Sequence, residues 1–213
     1  MLKQNKGKLL ISSIVILLPI LVGLARWNDL PQRMAVHWDF NGAPDNWLGK
    51  GFTVFAMPLI LLAVQWLCVV VTSLDPKNKD QSRKAMGLVF WLCPIISLFA
   101  NGAIYAAALG LKFNVSVLAP LVVGLMFVVI GNYLPKCKQN YTVGIKIIWT
   151  LDSEENWNAT HRFAGKVWVI GGVLLLLCAF LPAASIPYVL IPCLTLMVGA
   201  PILYSYLYYR RQK

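Results

Sequence analysis

The chain holds two histidines, His37 and His161, and each stands near carboxylates with which an imidazole can share a proton or a cation. Asp39 lies two residues beyond His37, and Asp45 follows in the same polar stretch. Such a set suits a proton-sharing pair or part of a metal site. Two ligands are too few for a metal, and the third would be a guess, so the favoured reading is a histidine–carboxylate contact that orients the loop, with no metal and no cofactor. His161 follows Glu154 and Glu155 but has neither a convincing nucleophile nor a ligand set around it. General-base catalysis therefore lacks its other parts. No catalytic residue is assigned, and the chain is read as a non-enzyme.

The elements that carry these residues are set by composition. Apolar residues make up 59% of the 213 and charged residues only 13%, against roughly 25% charged in soluble domains. Stretches free of Asp, Glu, Lys and Arg cover 9–25, 52–74, 85–111, 115–134, 167–184 and 186–208. Each approaches or exceeds the ~20 residues that span hydrocarbon. An all-α polytopic membrane protein with six transmembrane helices follows, since a helix satisfies its own backbone within lipid and no run shows barrel alternation. The remaining connections are too short for a soluble domain. Residues 1–213 are thus one membrane domain with two functional loops, 26–51 and 131–166. The first run is retained as a span and not as a cleaved signal peptide.

Charge orients the spans. With the N-terminus inside, the inner set is Lys3, Lys6 and Lys8; Lys77, Lys79, Arg83 and Lys84; Lys136, Lys138, Lys146, Arg162 and Lys166; and Arg210, Arg211 and Lys213. Outside remain Arg26, Arg33, Lys50 and Lys112. That asymmetry predicts a cell-membrane protein with both termini cytoplasmic. The net charge of +11 then reflects topology and some attraction to anionic lipids, with no direct nucleic-acid partner. It also separates His37 from His161, so the two share no site. The five cysteines form no framework and are expected to be free thiols.

In the outer loop, Met34, Val36, Trp38 and Phe40 alternate with Arg33, Ala35, His37 and Asp39. The period of two predicts a short extracellular strand with an apolar face, followed by turns at 41–42 and 44–46. In the inner loop, Asp152 and Ser153 are helix caps and Glu154 and Glu155 suit a helix N-terminus. Trp157, His161 and Ala164 follow at helical spacing, predicting a cytoplasmic interfacial helix that runs into the fifth span, with Trp157 and Phe163 entering the headgroup region. Residues 143–148 are read as a weakly specified extended or re-entrant piece.

Two motifs carry a resemblance. Gly131-Asn132, Asn140, Gly144-Ile145-Lys146, Trp149-Thr150-Leu151, Trp157 and Thr160-His161-Arg162-Phe163 resemble the signature of the Sdp-type (SdpI-like) toxin-immunity membrane proteins of Gram-positive bacteria. Leu30-Pro31, Val36-His37-Trp38, Gly42, Pro44-Asp45, Trp47 and Lys50 look like the outer-loop motif that often accompanies it. Ile147-Ile148 departs from the family's frequent Thr-Pro, which leaves the local turn open. The resemblance implies immunity to a secreted toxin peptide, and in some family members capture of a cytoplasmic transcriptional repressor at the membrane. On this basis His37, Trp38, Asp39, Gly42, Pro44, Asp45, Trp47 and Lys50 are expected to face toxin. Asn132, Asn140, Gly144, Lys146, Trp149, Thr150, Trp157, His161 and Arg162 are expected to form the cytoplasmic surface.

The competing class is a small permease or exporter of an amphipathic peptide or lipid, with helices kinked at prolines acting as gates. The spans carry no ionisable residue of the kind coupled transport usually keeps. Only Gln65, Asn101, Tyr105 and hydroxyls are polar there, a pattern explained by interhelical hydrogen bonds.

Overall fold

The computed structural model describes residues 5–81 and 83–212, with side chains throughout except at 79, 80 and 83–86. Of the basic residues used for orientation, Lys3 and Lys213 lie outside the described residues, as do the side chains of Lys79, Arg83 and Lys84.

The long helices are α1 (Lys6–Ala25), α2 (Met57–Leu74), α3 (Arg83–Ala108), α4 (Val115–Tyr133), α6 (Glu154–Leu177) and α7 (Ile186–Gln212), with a short α5 (Ile148–Asp152) before α6 and a hairpin of β1 (Arg33–Trp38) and β2 (Pro44–Gly49) after α1. Among the described residues, six helices are long and apolar enough to cross a membrane, as the composition predicts. Within each span only 22% to 33% of the residues are buried inside the protein. The rest of an apolar surface must meet lipid, because water would not tolerate so large an exposed patch. The chain is a multi-pass membrane protein.

Two compact units are present, one from residues 1–70 and 87–116, the other from 71–86 and 117–213. In the first, β1 and β2 pair antiparallel, with Arg33 opposite Gly49 and Ala35 opposite Trp47. Irregular register follows Ala35 and again His37. β2 occupies residues where the sequence pattern predicts a turn at 44–46. Met34 is fully buried and joins Leu30, Val54, Ile104 and Tyr105 in a cluster that also receives Val36 and Trp38. The alternating apolar face is thus real for Met34, Val36 and Trp38. Phe40 lies past the end of β1 and is 54% exposed. A single π-helical turn, Phe52–Ala56, precedes α2, where Pro58 withholds the amide that an α-helical turn would need.

Polar groups stitch α1 to its neighbours. Gln65 Nε2 donates to Ser12 Oγ at 3.2 Å and to the Phe90 carbonyl at 3.0 Å. Ser97 Oγ donates to Ile16 O, and Tyr105 Oη donates to Pro19 O. The interhelical role expected of Gln65 and Tyr105 is therefore met. Asn101 differs: its amide donates to Ser97, within its own helix.

In the second unit, Leu175, Cys193 and Met197 form a cluster with Phe127 and Trp168, and Trp168 Nε1 donates to Met197 O. Close backbone approach joins α4 and α6. A Cβ built on Gly172 would stand 2.6 Å from Gly124 O, and one on Gly165 would stand 2.7 Å from Gly131 O. Small residues are what allow helices to meet this closely in a membrane. The Gly171-Gly172 pair behaves as expected, since Gly171 faces the Met197 side chain, but Gly199 has open space around it. All five cysteines are free thiols.

Candidate functional site

The hairpin divides its motif residues between an exposed face and a structural one. Asp39 shapes the turn: its Oδ1 accepts from Asn41 N at 2.9 Å and Ala43 N at 2.8 Å. Gly42 sits at φ +83°, where an L side chain would be strained. Ser116 Oγ closes the tip by donating to Phe40 O. With Asp39 so occupied, His37 pairs with Asp45 instead, Nδ1 to Oδ1 at 2.6 Å. The expected histidine–carboxylate contact exists across the two strands. Both side chains are open to solvent, 67% and 46% exposed. Pro44 begins β2, and Trp47, two residues past Asp45 on the same strand and opposite Ala35, is 42% exposed. Trp38 turns inward and meets Phe113 edge-on.

Lys50, expected on the toxin-facing surface, is only 8% exposed. Its ammonium donates to the carbonyls of Trp27 and Leu30, both at 3.0 Å, and lies 4.8 Å from the centre of the Trp27 ring. Those carbonyls belong to the turn after α1, where the helix has run out of amide partners. Lys50 fastens the base of the hairpin.

The 131–166 loop and the segment after α2 share a network of polar groups, buried at Asp75 and Asn140. The Asp75-Pro76 bond ends α2 because the residue before proline avoids helical backbone, and Asp75 is extended at ψ 117°. Its carboxylate accepts from Lys77 N (2.9 Å), Tyr141 N (2.7 Å) and Thr142 Oγ1 (3.0 Å). Asn78 Nδ2 reaches Thr72 O and Thr142 Oγ1. Gln81 pairs twice with the Lys138 backbone, and Lys77 Nζ donates to Gln139 Oε1. Asn140 folds the turn on itself, Oδ1 accepting from Thr142 N and Val143 N while Nδ2 donates to Lys138 O and Val143 O.

Gly144 follows at φ +124°. A Cβ there would lie 2.5 Å from His161 Nε2 and 2.9 Å from the Trp157 ring. Only glycine fits both the backbone and the space. His161 Nε2 accepts from Ile145 N at 3.0 Å, so its Nδ1 carries the proton donated to Trp157 O at 2.8 Å. This fixes a neutral imidazole with both nitrogens engaged, stacked 4.0 Å from the Trp157 ring. Trp157 Nε1 donates to Cys137 O. Burial pushes the Cys137 thiol up to about 11. Thr150 Oγ1 accepts from Ile147 N and lies 2.7 Å from Ile145 O. Ser153 caps α6 as expected, accepting from Asn156 N. Asn156 in turn clasps α7 through Ser205 O and Oγ and holds Thr160.

Residues 143–148 pair with no strand among the described residues; the chain turns at Gly144, is extended at Ile147 and enters α5. One expectation about this region changes. Trp157 does not face headgroups but is fully buried, because its indole N–H is spent on Cys137 O. The helix it belongs to is continuous with the fifth span, from Glu154 to Leu177.

Of the predicted inner set, Asn140, Gly144, Thr150, Trp157 and His161 come together. Lys146 is exposed and donates to Thr142 O. Trp149 packs on Tyr206 and Tyr209 of α7. Arg162 is exposed, and Asn132 is exposed near the end of α4 outside the network. Asp75, Asn78, Asn156 and Ser205 were missed. An acid next to proline directly after an apolar run was the available signal for Asp75, as a capping pattern.

Six apolar spans, a surface hairpin and a densely hydrogen-bonded polar loop define a small multi-pass membrane protein, with no cluster of three metal-ligating side chains among the described residues. The SdpI/YfhL protein family model matches residues 136–205, and a Domain of unknown function (DUF1648) matches residues 14–62, including the hairpin. The chain is 27% identical to the Immunity protein SdpI of Bacillus subtilis (strain 168) over 205 residues, 96% of this chain and 97% of that protein. No solved structure matches.

Proposed function

We propose that this chain is a membrane immunity protein that protects its cell from a secreted toxin peptide and has no enzymatic step. The observation that carries the reading is the similarity to an immunity protein over nearly the whole of both chains. The hairpin offers a chemically suitable receiving surface. His37, Asp45 and Trp47 are exposed together, and an aromatic side chain beside a polar pair suits an amphipathic peptide. Asp39, Gly42 and Pro44 shape that surface, while Trp38 and Lys50 hold it from beneath.

In this reading both termini are cytoplasmic, the hairpin is outside and the 131–166 loop is inside. The inner loop, through Lys146, Trp149 and Arg162 on its surface and Asn140, Gly144, Thr150, Trp157 and His161 within, is the face that captures a transcriptional repressor. Asn132 belongs to this face by motif alone. Toxin acts on that face only if two conformations differ in toxin affinity, because a ligand shifts only equilibria whose states it distinguishes.

The test is survival of cells with and without this gene when exposed to the secreted peptide fraction of the strain that carries it. Equal killing of both would remove the immunity reading. Cysteine labelling of the hairpin and the inner loop from each side would remove the sensing scheme if both react in one compartment.

A further inference from the structure

Arg162 and Lys166 stand one turn apart on α6 and line a groove of about 450 Å³ with Pro135, Ala159, Phe163 and Tyr204. Residues four apart share a helix face, so both cations address the same space. The ion pairs among the described residues are Arg26 with Asp29 and His37 with Asp45. Neither groove cation therefore has an acidic partner among them. The Phe163 and Tyr204 rings stack at 4.4 Å and 8°, making a flat apolar wall whose rim carries the Tyr204 hydroxyl. Two cations and a phenol make a lining rich in donors, and none of its side chains is acidic.

The groove also lies at a defined depth. The charge-free run of the fifth span begins at residue 167, directly after Lys166, and α7 reaches its first charge at Arg210, six residues past Tyr204. At 1.5 Å per residue that is about 9 Å along α7. Cations at the edge of hydrocarbon meet lipid phosphates, and pockets of this kind between membrane helices hold anionic headgroups.

We propose that this groove binds the phosphate of one anionic phospholipid, with Arg162 and Lys166 as its anion ligands and the Phe163–Tyr204 wall against the glycerol and first acyl carbons. A free phosphate would use the cations and leave the apolar wall idle, so the lipid is the occupant that accounts for the whole lining. The site does not depend on the immunity reading.

The test is native mass spectrometry of the full chain in nonionic detergent, titrated separately with phosphatidylglycerol, phosphatidylcholine and inorganic phosphate. One phosphatidylglycerol should bind saturably, with about ten-fold preference over phosphatidylcholine. Arg162→Gln with Lys166→Gln should weaken it about ten-fold, while Lys6→Gln with Lys8→Gln, an equal loss of charge elsewhere, should leave it within about two-fold. Arg162→Lys with Lys166→Arg should retain binding. If the glutamine pair does not fold, Tyr204→Leu carries the same expectation of weakened lipid binding. Equal losses in the groove and control variants, no preference for the anionic lipid, or displacement by inorganic phosphate at matched concentration would each overturn the site.

Discussion

The hairpin and the inner loop both carry motif residues around a histidine, yet they use them in opposite ways. His37 sits at the surface with one partner, Asp45, and 67% of its side chain open. His161 is 1% exposed, with both ring nitrogens bonded and its ring stacked on Trp157. The first can accept a visitor without structural loss; the second cannot be altered without breaking several bonds at once. The difference teaches that a shared motif status does not imply a shared role: the hairpin motif leaves His37, Asp45 and Trp47 open at its surface, whereas most of the 131–166 motif is construction.

The largest effect that distinguishes them should come from Gly144→Ala. Left-handed strain of about 1–3 kcal/mol adds to overpacking of about 1–3 kcal/mol against His161 and Trp157. Melting in detergent should fall steeply, with trypsin gaining access at Lys138 and Lys146. An unchanged melting profile would mean that the inner loop is not built as described.

Next comes Asp75→Ala, which strands Lys77 N–H and Tyr141 N–H and leaves the Thr142 hydroxyl, as a donor, only its longer contact with Asn140 Oδ1. Losing a charged acceptor with several donors costs about 2–4 kcal/mol. Asp75→Asn should cost less, since one carbonyl oxygen remains. If the two variants melt alike, the carboxylate is not the tie between 75–78 and 140–142.

Lys50→Met keeps the stem and removes the ammonium from two carbonyls and the Trp27 ring. A loss of about 1.5–3 kcal/mol is expected from the charged hydrogen bonds. Hydrogen exchange should rise selectively at 26–51. Uniformly unchanged exchange there would return Lys50 to the set of freely exposed residues.

These positions also show what sequence alone revealed. The six spans were legible because hydrocarbon imposes a length and a charge rule that composition cannot hide. The strand at 33–38 was legible from its period of two. β2 was not, because Pro44, Asp45 and Asn46 have low strand propensity and owe their pairing to β1 and to the Asp39 turn. The tie from Asp75 to Tyr141 spans 66 residues, and no local pattern reports such a partner. Trp157 was placed on the correct helix but given the wrong surroundings, since helical spacing marks an apolar face without saying whether protein or lipid covers it. The cations of the groove were visible as residues, but not that neither has an ion-pair partner among the described residues.

The smallest structural effect should follow His37→Gln with Asp45→Asn. An exposed pair is worth about 0–1 kcal/mol, so melting should hardly move. Trp47→Ala removes an indole that is 42% exposed and should likewise leave the hairpin folded, because Met34 and Lys50 hold it from beneath. Survival against the secreted peptide fraction should nevertheless fall in both variants, since the side chains removed are those presented to a visitor. The informative quantity is the ratio of the two losses: large in protection and near zero in stability for the hairpin face, the reverse order of importance for Gly144. Full protection by these hairpin variants, at normal membrane levels, would make the exposed face decorative and move the search for the toxin contact elsewhere on the chain.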